Sequence, residues 1–96
     1  MTKIINKELL AEFRAKDRCE YCHKPAVCQP HHVTTKGMGG WRRLDIRINL
    51  IALCDGCHSA FHVGLIERAD LLLLVAKREK TTQDAIEREI YRLRRL

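Results

Sequence analysis

Apolar residues recur along this chain at two different periods, separated by stretches where neither holds. Leu9, Leu10 and Phe13 fall on one face at helical spacing behind Asn6, a good N-cap residue. This predicts a first helix through about Lys16, lying as a lid over the segment that follows. From Cys19 to Pro30 the period disappears, and Pro25 and Pro30 withhold backbone donors, so knuckle and extended chain are expected there. That chain leads into His31-His32-Val33. The run Lys36-Gly37-Met38-Gly39-Gly40 fits neither strand nor helix and predicts a loop between two antiparallel strands, with Ile46 to Leu53 as the returning arm. Asp55 as N-cap and Gly64 as stop bound the next element, a helix with His58 and His62 on one side. Glu67 to Lys80 reads as helix with a thick leucine face. Thr81-Thr82-Gln83-Asp84 fits a capping box for a last helix through Leu96, buried along Ile86, Ile90 and Leu93.

The sum is an α+β chain. Its 96 residues, without internal repeat, low-complexity tract or linker, predict a single domain over 1–96, with a core at about 19–64 and a helical extension at about 66–96. At this size only about two-thirds of the unfolded surface can be buried, so a staple would help. Five cysteines can supply one. Their odd number, the Cys-x-x-Cys spacing and the lack of a signal peptide favour reduced thiolates on zinc over disulfides, and a cytoplasmic protein. The apolar run Leu71 to Ala76 is too short to span a membrane and is bounded by Asp70, Lys77 and Arg78, so no membrane partner is expected. Eighteen Lys and Arg against 12 Asp and Glu give a net charge of +6, which suits a polyanion such as nucleic acid.

Cys19, Cys22, Cys54 and Cys57 form two Cys-x-x-Cys pairs, and tetrahedral four-thiolate zinc commonly uses two such knuckles brought together by the fold. Structural zinc there would clamp the start of the hairpin to the start of the following helix. Cys28 is left over as a small core residue. His23, directly after the first pair, reads as a surface histidine and not as a ligand.

His31, His32, Asn49, His58 and His62 are a second constellation. Hydrolysis of a phosphodiester needs a base to deprotonate water and a cation to offset charge on the phosphorane and the leaving oxygen. Adjacent histidines can divide these tasks where an extended arm turns or bulges, one facing the metal and the other the water. A free imidazole titrates near pH 6.5, so it can accept a proton at neutral pH. Asn49 can hold such a ring without competing for its proton. His58 and His62, four apart on a helix, can address one cation.

These residues resemble a known family. His31-His32, then Asn49-Leu50-Ile51-Ala52-Leu53-Cys54-Asp55-Gly56-Cys57-His58, closed by His62, are similar to the HNH endonucleases with their ββα-metal motif, in the branch that carries a four-cysteine zinc. The likeness spans about Cys19 to Gly64. It implies a hydrolase, a metal-dependent DNA endonuclease leaving 5′-phosphate and 3′-hydroxyl ends, flanked here by an N-terminal helix and C-terminal helices. It implies His32 as general base, Asn49 as the residue that orients it and braces the hairpin, and His31, His58 and His62 as ligands of a divalent cation, with His62 resembling the further ligand of the nuclease colicins. An all-imidazole set favours Mn²⁺, Ni²⁺, Co²⁺ or Zn²⁺ over Mg²⁺, and Mn²⁺ is the expected activator, with Mg²⁺ weaker.

Lys36, Arg42, Arg43 and Arg47, in or beside the glycine-rich loop, are the candidate DNA phosphate contacts, and Trp41 is expected to pack under that loop. Arg88, Arg92, Arg94 and Arg95 could form a backbone-binding stripe. Few residues remain for base readout, so weak sequence preference is expected, with one strand nicked per encounter by a monomer or weak homodimer. The alternative is a non-catalytic zinc module that binds nucleic acid or a protein. It leaves five ordered residues without a role. A deaminase or zinc protease is excluded, since neither His-x-Glu nor His-Glu-x-x-His occurs.

Overall fold

A computed structural model describes residues 3–34 and 43–96. Helix α1 (Lys7–Arg14) begins at Asn6, whose side chain accepts the Leu9 N–H at 3.0 Å, and it buries Phe13 completely. Strand β1 (Cys28–His32) pairs antiparallel with β2 (Leu50–Cys54) in an unbroken register from Cys28 opposite Cys54 to His32 opposite Leu50. Helix α2 (Asp55–His62) follows β2 without a break, and α3 (Arg68–Arg78) and α4 (Gln83–Arg94) complete the chain. The described residues are thus α+β, and no helix among them is long and apolar enough to cross a membrane.

The core centres on β2. Leu50, Ile51, Ala52 and Leu53 are consecutive and all buried, which for a strand means that both faces are covered. Helices α1, α2 and α3 pack on it, and Phe13, Val33, Leu44, Leu71, Val75 and Ile86 fill the same core. Phe13 is ringed by cations, with Arg78, Lys16 and Arg47 at 4.9, 5.0 and 5.8 Å from its centroid.

Glu20 fastens the first cysteine knuckle to this strand. Its backbone N–H donates to the Ala52 carbonyl at 2.9 Å and its carboxylate accepts the Ala52 N–H at 2.6 Å, so an open edge of β2 is satisfied by one residue. Arg78 of α3 binds the other Glu20 oxygen at 2.8 Å and the Arg47 carbonyl at 2.6 Å. Helix α1 accordingly lies against both strands, held also by a bidentate Arg47–Glu12 pair.

Several boundaries differ from the sequence reading. The returning arm is not extended from Ile46: residues Arg47–Asn49 form a 3₁₀ turn, and the strand begins at Leu50. The N-cap of α2 is Cys54, not Asp55, which lies in the first turn, where its charge still favours the helix dipole. The last helix is capped by Thr82, accepting from Ala85 N–H, one residue later than a box over 81–84 requires. A reciprocal acidic cap occurs instead on α3, where Asp70 accepts the Glu67 N–H at 3.0 Å. Gly64 is the stop that was expected, with φ of +84° just past α2. The glycine-rich loop, Lys36, Trp41 and Arg42 lie outside the described residues.

Candidate metal centre and histidine cluster

The knuckle turn after α1 carries Cys19 and Cys22, and the junction of β2 with α2 carries Cys54 and Cys57. Register places these four together: Glu20 lies on Ala52, which brings the first pair to the C-terminal end of β2. Their sulfurs all lie within 4.8 Å of one another. Cys22 Sγ and Cys54 Sγ are 3.9 Å apart. A tetrahedron with Zn–S bonds of about 2.3 Å has edges of about 3.8 Å, so the thiolate geometry fits zinc.

The surroundings suit thiolates as well. Burial opposes ionisation of Cys19, but the N–H groups of Cys22, Cys54 and Tyr21 and the Cys57 thiol outweigh it and hold its pKa down to about 6. One of these contacts is the Tyr21 N–H to Cys19 Sγ, at 3.4 Å. Cys57 moves the opposite way, raised by burial and then by the thiol bonds it makes to its neighbours. The Cys19 thiolate is thus favoured chiefly by backbone N–H donors, with one thiol beside them. Cys28 stands apart, buried, its thiol donating to the Ala26 carbonyl at 3.5 Å, as a core residue would. His23 is exposed in a left-handed conformation (φ 64°) and has no place among the sulfurs.

The histidines divide into two groups. β1 runs straight through His31 and His32 with no turn or bulge, contrary to the sequence expectation, so the pleat sends neighbouring side chains to opposite faces. His31 faces α2. Its ring lies 5.4 Å from His58 and 4.7 Å from Phe61, centroid to centroid. His58 and His62, one turn apart on α2 and exposed, approach to 3.2 Å between their Nε2 atoms. That is hydrogen-bond distance between the two rings, and it is also close to the separation of about 3.3 Å between two nitrogens on one tetrahedral cation. The possible metal group of three or more ligands among the described residues is the four cysteines.

His31 Nε2 is buried and has no hydrogen-bond partner among the described residues. A buried nitrogen without a partner is costly and rare, and here it belongs to the ring nearest the pair on α2. Burial, then the neighbouring His58, His32 and His62, push the His31 pKa down to about 4. The ring is therefore neutral at physiological pH, the form that binds metals.

His32 is held on the other side by a residue that sequence reading missed. Its Nε2 lies 2.7 Å from Asp45 Oδ1, and the Asp45 side chain is fully buried. Arg43 grips the same carboxylate through Nε at 2.9 Å and Nη2 at 2.7 Å, and the Asn6 N–H donates to it at 2.9 Å. Burial alone would raise the Asp45 pKa, but Arg43, His32 and the Asn6 amide bring it to about 2. The only trace in the sequence is an acidic residue set between Leu44 and Ile46, at a position the apolar pattern would bury.

Asn49 is fully buried and acts on the backbone. Its Oδ1 accepts the Thr34 N–H at 2.8 Å, and its Nδ2 donates to the carbonyls of Leu44 at 3.0 Å and Thr34 at 3.4 Å. The expected brace of the hairpin is thus present as geometry, while the carboxylate of Asp45 is what holds the His32 ring. Of the cations proposed for phosphate contact, Arg43 is committed to Asp45 and Arg47 to Glu12, both bidentate. On α4, Arg88 pairs with Asp84, Arg92 with Glu89, and Arg95 lies over Tyr91. Comparison with protein-family models, curated proteins and solved structures finds no match to this chain.

Proposed function

We propose that this chain is a metal-dependent DNA endonuclease of the HNH type, with zinc on Cys19, Cys22, Cys54 and Cys57 and a second divalent cation at His31, His58 and His62. The observation that carries the reading is the convergence of His31 on the His58–His62 pair, with a buried, unpartnered Nε2 on the first and 3.2 Å between the nitrogens of the other two. A structural domain would gain nothing from an orphaned imidazole nitrogen beside two exposed ones. A cation held there would offset charge on the phosphorane and on the leaving 3′ oxygen.

The roles of the chain's own residues follow. His32, at the end of β1 and on the face opposite His31, would take the proton from the attacking water as its oxygen bonds to phosphorus and the P–O3′ bond breaks. This requires the scissile phosphate to reach around the end of the strand from the cation side. Asn49 holds Thr34 and Leu44 in place around the hairpin and so fixes where the histidine doublet ends. With one base and one cation per chain, a single encounter cuts one strand. The net charge of +6 favours DNA association without specifying sequence.

Supercoiled plasmid incubated with Mn²⁺ and zinc-loaded protein tests this. Relaxed circles should form with wild type, and with His32→Ala only at a residual rate lower by about 10²-fold or more. If no divalent cation supports relaxation by wild-type protein, the enzyme reading fails and a zinc module that only binds takes its place.

A further inference from the structure

The buried group formed by His32, Asp45, Arg43 and the Asn6 amide is more elaborate than the fold requires. Three separate stretches of chain converge on one carboxylate. The segment around Ile4 forms a short parallel bridge with Leu44, through Ile4 N–H to Arg43 O and Asp45 N–H to Ile4 O, each 2.9 Å, and this sets Asp45 beneath β1. A carboxylate with no solvent exposure must be paired to stay ionised, and the bidentate Arg43 pair and the Asn6 N–H do this. Ionised Asp45 can only accept. The 2.7 Å contact with His32 Nε2 therefore requires the proton to sit on Nε2.

We infer that Asp45 is a positioning residue for His32: it fixes the ring's orientation and holds hydrogen on Nε2, so that Nδ1 is the ring nitrogen that can act as the base. Arg43 serves this arrangement by keeping the carboxylate an acceptor, in place of the phosphate contact that its position suggests. The inference rests on the nuclease reading for its catalytic meaning, but the tautomer is a property of the protein alone. A neutral imidazole without such a partner exchanges its proton between the two nitrogens, and only one of the two forms would present its base in the direction the backbone sets.

The first test needs no variant and no DNA. In zinc-loaded wild-type protein labelled with ¹⁵N, the His32 Nε2 should resonate as a protonated, pyrrole-type nitrogen and Nδ1 as an unprotonated, pyridine-type one. The reverse assignment, or averaged signals, overturns the inference whether or not the protein cuts DNA. The second test is kinetic. Asp45→Asn keeps the shape but can donate as well as accept, and should lower kcat about 10²-fold with KM within about twofold. In a His32→Ala background the same change should cost less than about threefold, because there is no ring left to position. Equal losses in both backgrounds would mark Asp45 as merely structural and overturn the proposal. Should Asp45→Asn fail to fold, the ¹⁵N measurement on wild type decides. Absence of any cleavage by wild-type protein would sink the nuclease reading instead, and the tautomer result would stand apart from it.

Discussion

The four cysteines and the three clustered histidines are held by the fold in opposite ways. The sulfurs are enclosed: Cys19 and Cys57 are almost entirely buried, and each pair is locked to β2 by Glu20 or by the strand itself. The histidines are half open. Two of their rings project from the surface of a two-turn helix, and only His31 is anchored in the sheet. A closed tetrahedral set leaves no position for substrate, whereas three nitrogens at a surface leave at least one. On the proposed reading this contrast would separate folding from chemistry along a single helix, since α2 carries both Cys57 and His58.

If that separation is real, the largest effect belongs to the sulfurs. Cys54→Ser, or a strong chelator on wild type, should remove on the order of 10 kcal/mol, as much as the whole stability of a typical domain, and abolish the helical circular-dichroism signal. A folded Cys54→Ser protein would break the comparison at its stronger end. Next comes Asn49→Ala. It strands the amide and carbonyl groups of Thr34 and the carbonyl of Leu44, and should cost about 3 kcal/mol in urea unfolding while zinc content stays at one per chain.

His58→Ala should do the reverse of Cys54→Ser. Cation-dependent cutting disappears, and stability stays within about 0.5 kcal/mol of wild type in the same urea titration. Loss of the circular-dichroism spectrum in that variant would show that the two sites are not independent. The smallest change is expected from Arg88→Ala, whose partner Asp84 lies one turn away on the exposed face of α4; the midpoint of thermal unfolding should not move measurably. A marked loss of plasmid relaxation in that variant would instead bring α4 into the DNA surface.

The parts of this molecule that sequence made legible are those whose cause is local. Asn6 before an amphipathic turn, Thr82 before another, and Gly64 after α2 each act within four residues of the element they delimit. The two Cys-x-x-Cys pairs were equally readable, because ligand spacing is itself a local signal. What stayed hidden depends on distant chain. Asp45 acquires its role from His32, 13 positions away, and from the Asn6 amide, 39 away. Glu20 takes its role from Ala52, 32 residues on. The doublet His31-His32 suggested a bulge on chemical grounds, yet apolar Leu50 and Ile51 opposite demand an uninterrupted register, and packing prevailed.

Asn49 has one further consequence, for engineering. By gripping Thr34 on one side and Leu44 on the other, a single amide pins both ends of the stretch that runs between them. An engineered change at Asn49 would therefore disturb the end of β1 and the approach to Asp45 together.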